Sequence, residues 1–189
     1  MFEPITIWRR INTLCPFCDI NDVWMERRIF YQDKNWFAVL AAPFHTKGHT
    51  ILAALSKDYK CPKEFSEEVL AGLSTAIVET IKIMKMCYTP KDVLLSSLRG
   101  SESHFHFHLV PLWEHEENEW RDKQKDREQY RNGHLMEFLG YLEKRANERD
   151  EIQKKKEGLT DEEHRNGIIV SLDPEVKKLR TAAELLVDP

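Results

Sequence analysis

A chain of 189 residues, 41% of them hydrophobic, is long enough for one cored domain plus an appendage. Its net charge of −4 resides between Glu114 and Arg165, where 16 acidic residues meet 12 basic ones, and elsewhere acids and bases are equal in number, so no nucleic-acid partner is expected. No apolar run approaches the roughly 18 residues of a membrane span, Met1 to Arg10 lacks a signal-peptide pattern, and four unevenly placed cysteines make no disulfide framework; a soluble cytoplasmic protein is expected.

The first chemical feature in chain order is Cys15-Pro-Phe-Cys18, a C-x-x-C pair that suits zinc, a redox couple or two buried thiols. Arg28 to Gln32 and Trp36 to Ala41 then read as two strands joined by the polar turn Asp33-Lys34-Asn35. Pro43 to Gly48 forms a loop, and Thr50 to Leu55 is a short apolar run, the pattern of a strand buried on both faces. Ser66 opens a helix in which Val69, Leu70, Leu73, Ile77, Ile81 and Met84 recur at spacings of three and four, ending before Pro90. Val93 to Leu98 gives a fourth strand and His104-Phe-His-Phe-His-Leu-Val a fifth. Short connections and one crossing helix predict an α+β fold around a five-stranded antiparallel sheet.

Beyond Trp113 the texture changes. A charged stretch to Arg131 precedes Leu135, Phe138, Leu139 and Leu142 at helical spacing, and a second charged stretch follows. The narrow apolar stripe requires cover from the sheet or from a second copy of the chain. Asp173-Pro174 reads as a turn before a last helix that ends at Leu185 and Leu186. The division is therefore a domain over residues 1–113 and a charged, mainly helical extension over residues 114–189.

The fifth strand carries the chemistry. Successive side chains of a strand point to opposite faces, so His104, His106 and His108 share one face while Phe105, Phe107 and Leu109 enter the core. Imidazole titrates near neutrality and serves as nucleophile, acid, base or metal ligand. His45, His115, His134 and His164 have no such neighbours in sequence and read as surface residues.

His104 to Val110 fits the H-φ-H-φ-H-φ-φ pattern, φ being apolar, and here the chain resembles the histidine triad (HIT) family of nucleotidyl hydrolases and transferases. Lys47-Gly48-His49-Thr50-Ile51-Leu52 is similar to the family's G-H-T-L segment, and Cys15 to Ile20 to the C-x-F-C-x-I of its zinc-binding branch; the likeness covers about Cys15 to Pro111. It implies that His106 attacks the α-phosphorus of a nucleotide-like substrate to form a covalent nucleotidyl-histidine, resolved by water or another acceptor. His108 would donate to the phosphoryl or bridging oxygen, and Ser101 and His49 would contact the phosphate. Structural zinc would sit on Cys15, Cys18 and His104, and no organic cofactor is implied. The family's fourth zinc ligand is a histidine where this chain has Lys57-Asp58, leaving Asp58 or Cys61 as substitutes. The family's ribose-binding aspartate is replaced by Ala41, and its asparagine-glycine segment by Ser96-Ser97-Leu98-Arg99. Arg99 is a candidate fork for a further phosphate or carboxylate. The resemblance also implies a homodimer. Two other classes stay open: a non-catalytic phosphate-binding scaffold that recruits a partner through the extension, and a zinc hydrolase with the metal on the triad.

Overall fold

The computed structural model of the protein describes residues 17–18, 20, 23–42, 45–56, 62–97, 104–123 and 135–187. Cys15, Asp58, Cys61, Arg99 and Ser101 lie outside these residues. Five strands, β1 (Ile29–Gln32), β2 (Trp36–Leu40), β3 (Thr50–Ala54), β4 (Asp92–Ser96) and β5 (His106–Leu112), form one antiparallel sheet in the order β1-β2-β3-β5-β4. A single helical turn, α1 (Val23–Glu26), precedes the sheet, and the long α2 (Glu67–Cys87) crosses it. Three helices follow: α3 (Glu114–Lys123), α4 (Leu135–Glu157) and α5 (Asp161–Val187). The fold is α+β, as the order of elements predicts. No helix among the described residues is long and apolar enough to cross a membrane.

Local chemistry fixes the main elements. The β1–β2 turn is closed by Asp33, whose Oδ1 accepts from the backbone N–H groups of Asn35 and Trp36, each at 2.7 Å. Ser66 caps α2, its hydroxyl accepting from the Val69 N–H at 3.3 Å. The predicted side of α2 faces the core except at one position: Val69 and Met84 are buried, Leu73, Ile77 and Ile81 pack against the same cluster with Ala76, Thr80, Ile83 and Cys87, and Leu70 is exposed. The sheet selects this face, because Trp36 Nε1 donates to the Val69 carbonyl at 3.2 Å and pins the start of the helix.

Strict alternation gives the sheet two distinct faces. Trp36, Ala38, Leu40, Leu52, Ala54, Phe105 and Leu109 pack against α2 and against Leu172, Val176, Leu179 and Ala182 of α5. The helix of the extension is thus part of the main core. The turn expected at Asp173-Pro174 does not form, and α5 runs unbroken through Pro174. A proline here forfeits one helical hydrogen bond, and the carbonyl left without a helical donor belongs to Val170, an exposed residue that water reaches. Continuous burial of the four core residues outweighs that loss.

On the opposite face, Phe17, Met25, Phe37, Val39 and Ala53 form one small cluster. Val110, Trp120, Phe138, Leu139 and Leu142 form another, in which α3 and α4 cover the end of β5. The sheet itself therefore covers the apolar stripe of the extension. His106 pairs with Ala53 and His108 with Ile51, which sets the imidazoles on this second face, between the two clusters.

Candidate functional site

Two stretches of backbone meet at the histidines. His49 ends a tight turn in which its N–H donates to the Thr46 carbonyl at 3.0 Å. Gly48, third in that turn, has φ +80°, the sign a type II turn demands there. A Cβ on Gly48 would also lie 2.9 Å from the Tyr88 ring. From this turn His49 points beneath the triad, buried to 1% exposure.

The hydrogen bonds assign a tautomer to each imidazole, because a backbone carbonyl only accepts and a backbone N–H only donates. His106 Nδ1 lies 2.8 Å from the His104 carbonyl, so it carries the proton and leaves Nε2 with a free lone pair. His49 Nδ1 accepts from the His45 N–H at 3.3 Å, which places the proton on Nε2. That Nε2–H donates to His108 Nδ1 at 3.0 Å. His108 accordingly carries its own proton on Nε2. Two imidazoles with centroids 5.1 Å apart thus hold opposite forms, one with a bare Nε2 and one with an Nε2–H.

Burial supports the neutral states of His49 and His108. It pushes the His49 ring well below the ordinary imidazole range, with smaller contributions from His45 and His108. Burial, then the neighbouring His106 and His45, lowers His108 to about 4. His104 is lowered by burial, against the opposing bond to the Ala54 carbonyl.

His104 precedes β5 and faces the first cysteine segment. Its Nε2 donates to the Ala54 carbonyl at 2.6 Å, and its Nδ1 lone pair lies 3.5 Å from Cys18 Sγ. A cysteine sulfur and a bare imidazole nitrogen set side by side are a donor pair suited to zinc. Among the described residues no three His, Cys, Asp or Glu side chains are grouped to hold a metal ion, and Cys15 lies outside them.

Two neighbours escape the sequence reading. His45, expected at the surface, is half-buried in the site, its ring 4.6 Å from His49 and stacked 6.5 Å from His108. Only its place four residues before His49 hints at this. Phe17 packs on His106 at 4.9 Å between centroids and on His104 at 5.9 Å. It was legible only as the residue inside the cysteine pair. Ala41, at 2% exposure, contributes its N–H to the His49 carbonyl and offers no carboxylate.

No protein-family model matches the chain. A HIT-like protein of Methanocaldococcus jannaschii is 26% identical over 105 residues, 53% of this chain and 81% of that protein. One from Saccharolobus solfataricus is 28% identical over 136 residues, 69% of this chain and 94% of the relative. In sequence, the chain is similar to these HIT-like proteins. Both HIT-like relatives are themselves uncharacterised. Among solved structures, a hypothetical histidine triad nucleotide-binding protein of Sulfolobus tokodaii superposes with a TM-score of 0.48 at 21% identity, covering 75% of this chain and 95% of its own.

Proposed function

We propose that the protein is a nucleotidyl hydrolase or transferase acting at the α-phosphorus of a nucleotide-like substrate, with His106 as nucleophile. The observation that carries this reading is the pair of opposite tautomers on alternate residues of β5, His106 and His108. Nε2 of His106 attacks phosphorus, an N–P bond forms, and the phosphorus–leaving-group bond breaks with its electron pair departing on the leaving group. The imidazolium so formed keeps its Nδ1–H on the His104 carbonyl, which stabilises the positive charge. His108 offers its Nε2–H to the phosphoryl or bridging oxygen. Water or another acceptor then adds to phosphorus, the N–P bond returns its electrons to Nε2, and the acceptor's proton passes to solvent.

In the same proposal His49, with both ring nitrogens engaged by His45 and His108, holds His108 in register in place of the direct phosphate contact the resemblance implies, and Ser101 adds a phosphate contact. Zinc bound by Cys15, Cys18 and His104 would cross-link the N-terminal segment to the sheet beside the site; the Cys18–His104 approach supports this. Residues 1–113 would carry the reacting groups and residues 114–189 none of them. A homodimer fits the exposed Leu70, Val78 and Met86 on α2. A ribonucleoside is less well supported than phosphoryl chemistry, because Ala41 provides no acceptor for ribose hydroxyls. Purified protein should split an adenosine phosphoramidate or a dinucleoside polyphosphate, and His106→Ala should abolish this while retaining the wild-type circular dichroism. Turnover that survives in that variant refutes the assignment.

A further inference from the structure

The segment beyond Trp113 grips the turn that presents His49, chiefly at Thr46. Thr46, in the turn that presents His49, is 1% exposed, and its hydroxyl donates to Glu116 Oε2 of α3 at 2.6 Å. Glu116 is itself 4% exposed and pairs through Oε1 with the Arg145 guanidinium of α4. The other arm of Arg145 reaches Glu119 Oε2 at 2.9 Å, and its face lies 5.9 Å from the centroid of Tyr141. Tyr141 in turn donates to Glu119 Oε1 at 2.7 Å. The turn is tied a second time at Lys47, whose carbonyl accepts from Trp113 Nε1–H at 3.2 Å and whose ammonium lies 3.7 Å from Glu175 of α5.

We propose that α3 and α4 form an active-site clamp in which Glu116 and Arg145 are positioning residues, holding the His45–His49 turn through Thr46 and thereby setting His49 against His108. From Arg145 the path runs to Glu116, to the Thr46 hydroxyl, across the Thr46 carbonyl to the His49 N–H, and from His49 Nε2–H to His108. Burying the carboxylate of an ion pair is a costly way to gain stability, because Glu116 leaves water while Arg145 is partly exposed. What it supplies is direction: the carboxylate accepts from Thr46 on one oxygen and from Arg145 on the other, so the hydroxyl has one place to point. A turn that must aim a buried imidazole to within a hydrogen bond gains most from such a restraint. The extension, which matches no motif, acquires a role at the site in place of recruiting a partner.

The clamp's effect on turnover rests on the reaction proposed above; its effect on the imidazoles does not. The test uses the full-length protein with Thr46→Val, which removes the hydroxyl at constant shape, and Thr46→Ser, which restores it. Imidazole 15N spectra read the tautomers of His49 and His108, and adenosine phosphoramidate turnover reads kcat and KM separately. In Thr46→Val the fixed tautomer signals of both rings should give way to averaged ones, and kcat should fall by about 10- to 100-fold, the cost of a misplaced reacting group. KM should move by less than about threefold, since ground-state binding is untouched. Thr46→Ser should recover both readouts. Wild-type tautomer signals in Thr46→Val overturn the clamp. If that variant fails to fold, Glu116→Gln reads the same resonances. Shifted tautomers in a protein that turns over no nucleotide uphold the clamp and defeat the proposed reaction.

Discussion

At the scale of single residues, three histidines that alternate along one strand do different things. His104 is committed through Nε2 to the Ala54 carbonyl, His106 through Nδ1 to the His104 carbonyl, and His108 through Nδ1 to His49. Each bond leaves one nitrogen for chemistry, and which one is left differs. Burial lowers His108 to about 4 from an ordinary 6.5. The unfolded chain therefore takes up a proton first as pH falls from about 6.5 towards 4, and the stability associated with the neutral ring is full above that window and lost through it. From His108 alone, denaturant titration at pH 5 should give an unfolding free energy smaller by about 2 kcal/mol than at pH 7. A Gly48→Ala substitution should also weaken the protein and lower turnover, because the new methyl group meets Tyr88 at a backbone angle that alanine resists. An unchanged melting temperature and kcat in that variant would contradict the geometry of the turn.

At the scale of elements, β5 was legible from period-two alternation and β2 and β3 from short apolar runs, each within one or two positions. The imidazole face of β5 was legible from the same alternation. The phase of α2 was legible except at its edge: Leu70 satisfies the helical spacing as Val69 does, and docking on Trp36 decides between them. His45 was missed because nothing local marks it. Its place depends on the turn around Gly48 and on β3 pairing with β5, contacts remote in sequence. Pro174 misled for the opposite reason, since a local turn signal yields to burial of Leu172, Val176 and Leu179 along a continuous helix. Leu179, fully buried in α5, should cost about 2–5 kcal/mol when changed to alanine, read by denaturant unfolding. A change below about 0.5 kcal/mol would mean that α5 lies at the surface.

At the scale of the whole molecule, the C-terminal helices serve the two faces of one sheet. Helix α5 seals the apolar face with α2, and the α3–α4 pair walls the face that bears the histidines and grips the turn before β3. Removing residues 114–189 should therefore abolish cooperative thermal unfolding, since it strips Leu172, Val176, Leu179 and Ala182 from the core. A truncated chain that melts cooperatively near the full-length temperature would show that residues 1–113 fold unaided. The central claim, a covalent intermediate on His106, is tested most directly by intact-mass measurement after brief incubation with an adenosine phosphoramidate. The account predicts a wild-type adduct of one adenylyl group that decays with turnover and is lost in His106→Ala. An adduct that persists in His106→Ala, or wild-type turnover with no adduct after rapid quenching into alkaline denaturant, in which an N–P bond to imidazole survives, would contradict it.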